Sequence, residues 1–250
     1  MKNSILIGVR NGLGLRFILG AMAVVTVLML SVLEPLIKLS RDFQIQEYGY
    51  HIRLMMDALL SDTFMPFVAI VAVLPFTANY VDEIKSKFAR FSMLRIGYTN
   101  YLASKVVVCF ILGGAVVLTG IVFTYFIGTL VFLPMEMPKT DDNNQIEELL
   151  ECGFLMFLNG GFWAVLGMTM STVMESKYIA YASPFVVYYL LVMLYERYFP
   201  DIYLIYPKQW MNPRNGWPMG ILGVTIYMLE ITIFLGTIFY IRGKRRLAQL

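Results

Sequence analysis

Six stretches of this chain are apolar for close to the length a helix needs to cross a bilayer, about 20 residues for a hydrocarbon core about 30 Å thick. They are Phe17–Leu33, Met65–Ala78, Val106–Leu133, Phe154–Val173, Ile179–Tyr195 and Met219–Ile241. The second is short and holds Pro66 and Pro75, so part of Met55–Leu60 is expected to join it through a kink. The third is the longest and must tilt or protrude. Composition agrees with this reading. Hydrophobic residues make up 58% and charged residues 15%, against about 45–50% and 25% in soluble domains. No soluble interior of this size holds such a surplus. No repeat or low-complexity linker divides residues 1–250, so a single all-α integral membrane domain is expected.

Lysine and arginine collect on the cytoplasmic side of membrane proteins. With the N-terminus inside, segments 1–16, 79–105, 174–178 and 242–250 hold thirteen basic and three acidic residues. The outer segments 34–64, 134–153 and 196–218 hold seven basic and thirteen acidic ones. Loop 134–153 sets Lys139 alone against Glu136, Asp141, Asp142, Glu147, Glu148 and Glu151, whereas Arg242–Arg246 is a basic stop. Six transmembrane helices with both termini cytoplasmic are expected. The apolar run from Phe17 outlasts a signal-peptide core and ends at Glu34-Pro35 without a small-x-small site, so no cleavage is expected. Within 1–16, Ile5, Val9 and Leu13 lead to Phe17 at intervals of four while Lys2, Asn3, Arg10 and Arg16 avoid that stripe. This pattern fits a helix lying in the lipid interface. Near the outer surface, Trp210, Trp217, Tyr195, Tyr198, Tyr203 and Tyr206 are placed like an aromatic belt. The apolar stretch Pro200–Trp210, within segment 196–218, reads either as short re-entrant helices or as loose packing in the outer interface.

The chemistry open to this chain is narrow. One histidine, His51, and two cysteines, Cys109 and Cys152, exclude most His- and Cys-built metal or redox sites. A nucleotide-hydrolysing chain needs a glycine-rich loop with lysine and Ser/Thr between a strand and a helix. Gly12-Leu13-Gly14-Leu15-Arg16 lacks the lysine and the strand. No catalytic residue, metal or bound cofactor is expected, and no nucleic-acid partner. Gly113-Gly114 and Gly160-Gly161 fall inside spans, where small residues let helices approach closely.

The most informative polar stretch is 79–105, between the second and third spans. Val81, Ile84, Phe88, Phe91 and Met93/Leu94 are spaced mostly by three or four, which predicts an amphipathic helix. Asp82 and Glu83 stand at its start, where a helix N-terminus favours negative charge. Lys85, Lys87, Arg90 and Arg95 follow, and Gly97 ends it.

This segment resembles the first cytoplasmic loop of the type-two ATP-binding-cassette (ABC) exporter permeases. That family has an early acidic residue, an arginine-containing helix, then tyrosine and lysine leading into the third span. Glu83, Arg90/Arg95, Tyr101 and Lys105 stand at the corresponding places. The likeness extends over nearly the whole chain, through the interfacial N-terminal helix, six spans and the partly apolar segment before the last. The chain departs from the family at Ser86-Lys87, a stretch where the family often has glycine. The resemblance implies a coupling helix seated in a cleft of a separate ABC ATPase subunit, with ATP and Mg on that partner. Ile84, Phe88 and Phe91 would be the buried contacts and Glu83, Arg90 and Arg95 the polar rim. It also implies a dimer with a second permease copy or paralogue, lipid around the spans, and a place in the plasma membrane of a bacterium. The family's substrates include peptides, lipids, polysaccharides and drugs. The aromatic and methionine content suits an amphipathic one.

Two polar residues stand out within the spans. Glu230 is the only acidic residue deep in one, and an ionisable group there needs a partner or a wet cavity. It reads as a point on a substrate path or a helix interface, or as a carboxyl hydrogen-bonded through hydroxyls such as Thr225 or Thr232. Asn159, beside Gly160-Gly161, reads as helix packing ahead of substrate binding. Two other functions compete. A secondary transporter or channel would show paired ionisable residues or broken helices at the midplane, and only Glu230 qualifies. An intramembrane protease would use Glu147-Glu148 as a glutamate pair. That pair lies in the acidic loop, with Cys152 where an arginine is needed and His51 as the sole histidine.

Overall fold

The computed structural model describes residues 2–42, 48–137, 145–174, 176–212 and 217–247. Lys139, Asp141, Asp142, Glu175 and the centre of the turn 212–218 lie outside them. Among the described residues the fold is all helix, without strands. In chain order the helices are α1 (Lys2–Gly12), α2 (Leu15–Asp42), α3 (Tyr50–Leu59), α4 (Phe64–Val71), α5 (Asn79–Lys85) and α6 (Phe88–Ile96). Then follow α7 (Tyr98–Phe132), α8 (Gln145–Met174), α9 (Lys177–Arg197), α10 (Pro207–Met211) and α11 (Ile221–Leu247). Five of these, α2, α7, α8, α9 and α11, are long and apolar enough to cross a membrane, as expected of a multi-pass membrane protein.

The sixth apolar stretch differs from a simple span. Met65–Ala78 forms a helix only over α4, and residues 72–78 are turns. Ser61 ends one helix and starts the next: its hydroxyl donates to the Ala58 carbonyl (2.8 Å) and accepts the Phe64 N–H (3.2 Å). Pro66 fits the first turn of α4, where no intrahelical N–H is required. Pro75, lacking a donor, sits among the turns that follow. The result is a bent pair, α3 and α4, meeting at 67°, which is the kink through Met55–Leu60 that the prolines predict.

The hub is α8, with 78% of its most apolar window buried, against 50% for α7 and 17% for α9. Helices α7 and α8 run antiparallel with their backbones in contact. A β-carbon on Gly113 would lie 2.8 Å from the Gly160 carbonyl oxygen, and one on Gly160 would lie 2.6 Å from that of Gly113. Side chains are excluded there, and the close approach draws van der Waals contact from both helices. The two glycine pairs of the sequence therefore form one helix crossing.

Helices α1 and α2 run parallel to α7. Ser4 hydrogen-bonds Ser104 (3.1 Å), and β-carbons on Gly8, Gly12 and Gly20 would run into Val108, Leu112 and Val116 in turn. The face that meets α7 is Ser4, Gly8 and Gly12; Ile5 and Val9 flank it, partly buried, while Leu13 is exposed. A stripe of small residues admits this close contact with α7. Helix α11 returns antiparallel to α7, bringing Gly243 against Leu102. Both described ends of the chain thus gather at the end of the bundle that holds α5 and α6. That end is basic. The opposite end carries Glu136, Glu147, Glu148 and Glu151, together with α10.

Substitution tests the α7–α8 crossing. Gly113→Val is expected to cost about 1–3 kcal/mol through overpacking against backbone, reducing the monodisperse fraction in detergent. Gly128→Ala, with open space around it, should leave that fraction unchanged. Size-exclusion profiles and thermal unfolding of both variants check this.

Candidate docking site

The loop expected to hold one amphipathic helix instead holds two short ones. The break is at Lys87, whose φ of 59° lies in the left-handed region, after which α6 begins. For a non-glycine residue this conformation costs about 1–2 kcal/mol. It falls in the Ser86-Lys87 stretch, where the resembled family often has glycine. At the far end Gly97, with φ 82° and ψ 149°, turns the chain into α7. The sequence pattern ran through the break because Ile84 and Phe88 remain four apart on either side of it.

Helix α5 is fastened to the bundle by its acidic residues. The Glu83 carboxylate accepts a hydrogen bond from the Tyr101 hydroxyl (2.5 Å) and pairs with the Lys105 ammonium. Lys105 and Glu83 have side chains only 12% and 22% exposed. The Lys105 ammonium also lies 5.0 Å from the Phe76 ring centre and 5.4 Å from that of Tyr101, within cation–π range. Asp82 pairs with Lys177 at the start of α9. The buried Tyr80 ring packs edge-on to Phe239 of α11, centroids 4.8 Å apart. Residues 76–83 are therefore tied to α7, α9 and α11 together.

This placement divides the residues singled out by the sequence. Glu83 faces inward onto Tyr101 and Lys105, where the rim reading had it at the surface. Ile84 packs partly buried against the core beneath α5. Phe88, Phe91 and Arg95 stand exposed on one side of α6. The side chain of Arg90 lies outside the described residues. Ala89 is fully buried and Met93 packs inward, while Leu94 is 87% exposed, Phe91 71% and Phe88 56%. Leu94 therefore completes an outward apolar face that the sequence reading left shared between Met93 and Leu94. Starting the helical count at residue 88 separates the two. Beside this face a cleft of about 230 Å³ opens between α1, α5, α6 and α7, with Arg95, Ser92 and Asn11 among its walls.

Asn159 lies far from this site and is fully buried. Its amide nitrogen donates to the Leu155 carbonyl (3.0 Å) and the Trp210 carbonyl (3.4 Å). It ties α10 to α8, where Trp210 packs on the rings of Phe162 and Trp163. Lys208 fixes the same segment through Asp62 (2.6 Å), a hydrogen bond that holds its ammonium charged above the usual lysine range. Next to α10 lies a cavity of about 500 Å³, with Met56, Leu155 and Met211 in its wall and Glu148 and Glu151 at its border. Glu230 is exposed on the outer side of α11. The hydroxyls of Thr225 and Thr232 bond to the carbonyls of Ile221 and Met228 in their own helix (2.8 and 2.7 Å), not to Glu230.

Comparison of the chain with protein-family models, with curated proteins and with solved structures found no match.

Two outcomes test the geometry. In a double-mutant cycle on thermal unfolding, Glu83→Ala and Lys105→Met are expected to be non-additive by about 1 kcal/mol or more, because either change alone strands the other charge. Additive losses would mean that the pair is not formed. Lys87→Gly should raise stability by up to about 1 kcal/mol, since glycine takes a left-handed conformation without strain. A lower unfolding temperature would contradict the break at 87.

Proposed function

We propose that this chain is the membrane-spanning subunit of an ATP-driven exporter, with α6 as the element on which a separate ATPase subunit docks. The observation that carries the reading is the outward face of α6. Phe88, Phe91 and Leu94 stand exposed on a short helix whose neighbour α5 is ion-paired to two long helices. Surface apolar residues scattered singly need no explanation, but three large ones on one turn-and-a-half of helix mark a contact surface. Lys87 and Arg95 give this apolar face a basic border, the polar rim around an apolar centre that protein interfaces show. Glu83, Tyr101 and Lys105, which stand where the type-two ABC permeases have an acidic residue, a tyrosine and a lysine, lie in mutual contact, which supports the reading.

In this reading α3 and α4 cross as one broken span, giving six crossings. The parallel run of α2 and α7 supports it, because two parallel helices start from the same side and the chain must return between them. Both ends and α6 then lie in the cytoplasm, in keeping with the lysine and arginine excess there. ATP and Mg belong to the partner, which burns the fuel. This chain transmits motion from α6 through the Glu83–Lys105 pair into α7. Two copies, or one copy and a related chain, enclose the path. The cavity beside α10, with its apolar wall and acidic border, suits an amphipathic substrate, and a bacterial plasma membrane is the setting.

Phe88→Asp together with Phe91→Asp should reduce the amount of ATPase that co-purifies with the chain by at least tenfold, the loss typical of removing interface hot spots. Membrane insertion and the unfolding temperature should stay unchanged. Mass spectrometry of the co-purified protein, with its ATP hydrolysis measured, identifies the partner. Undiminished ATPase binding would reject α6 as the dock, and a chain that transports with no nucleotide-binding companion would reject the function.

A further inference from the structure

Glu230 raises a question that the docking site does not answer. It lies nine residues into α11 and twelve before Arg242, about 13 Å from the start of the helix and about 18 Å from that arginine at 1.5 Å per residue. Its side chain is exposed on the outer face of the helix, between Ile226 and Leu229 on one side and Ile233 and Phe234 on the other. An ionisable side chain at that depth faces lipid only at a heavy cost, so such groups are covered by a partner or by water. A water-lined path would be polar around the carboxyl, and here its four neighbours are large and apolar. The cover is therefore protein.

We infer that this face of α11 is where two copies of the chain meet, with the two Glu230 carboxyls in contact across the two-fold axis. The argument rests on what this sequence offers as a partner. No lysine, arginine or histidine lies within any of the six apolar stretches, so no cation of a second copy reaches Glu230. A two-fold axis along the membrane normal brings equivalent residues to the same depth, because such an interface is built from the same patch on both subunits. A carboxyl seeking a partner on this face therefore meets its own counterpart. Such a contact takes both carboxyls out of lipid at once, and the patch is complementary to itself in its flanking apolar residues. The inference rests on the pairing of copies proposed above but not on the ATPase, and it names the surface that the pairing uses.

Cysteine crosslinking in membranes tests it, since native Cys109 and Cys152 are buried. Ile226→Cys and Ile233→Cys should each give disulfide-linked dimers on mild oxidation, while Val186→Cys, 58% exposed on α9, should not. Glu230→Gln keeps a donor and an acceptor and should preserve the yield; Glu230→Leu should lower it about five-fold. Single-molecule photobleaching counts subunits independently of which face is used. Two-subunit particles without α11 crosslinks would overturn this face and leave the pairing standing; single-subunit particles would overturn both. An undiminished yield in Glu230→Leu would overturn the role of the carboxyl. Labelling of Glu230→Cys by a membrane-impermeant maleimide would mark a wet surface and overturn the contact.

Discussion

Helices α5 and α6 have seven and nine residues, too few to be stable in water by themselves, so their position must be imposed from outside. The Glu83 carboxylate does this by joining α5 to α7 through Tyr101 and Lys105. The low exposure of the pair matters, because an ion pair at the open surface would contribute little and would be screened by salt. Here the Lys105 stem and ammonium lie over Phe76 and Tyr101, and removing either charge leaves the other in a poorly solvated place. Helix α7 has 35 residues and so is about 50 Å long, well beyond a hydrocarbon core of about 30 Å. Its first turns, at the basic end, form the rigid post on which the pair is built.

From that post, motion at α6 has a physical route into the spans. Backbone contact at Gly113 and Gly160 couples α7 to α8 without flexible side chains between them. Helix α8 in turn carries α9, α11 and, through Asn159 and the aromatic cluster, α10 at the opposite end. Tightly packed interiors respond to displacement by switching between arrangements instead of yielding gradually. A line of ion pairs, backbone contact and ring contacts therefore runs from α5 to α10, and its two ends are made of different chemistry.

Much of the fold was legible because apolar length and charge asymmetry are properties of whole segments. Five of the six expected spans correspond to long helices, and the sixth apolar stretch belongs to the bent pair α3 and α4. The glycine pairs were legible as contact points, though which pair met which depended on the depth of each helix. Three features were hidden. Lys87 adopts a conformation that its residue type disfavours, so nothing local marked the break between α5 and α6. The inward turn of Glu83 depends on Tyr101 and Lys105, 18 and 22 residues away along the chain, and a periodicity argument sees only neighbours within a few turns. The α7-facing side of α1 is a row of small residues, Ser4, Gly8 and Gly12, which a search for apolar stripes passes over in favour of Ile5, Val9, Leu13 and Phe17.

The account turns on α6 receiving force from a protein in the cytoplasm. A photoreactive amino acid at position 94, where the native leucine is 87% exposed, reports directly on what covers that face in living cells. Crosslinks to a soluble nucleotide-hydrolysing subunit bearing a phosphate-binding loop are the expected result. Crosslinks to lipid alone, or modification of the site by a reagent confined to the outside of the cell, would contradict it.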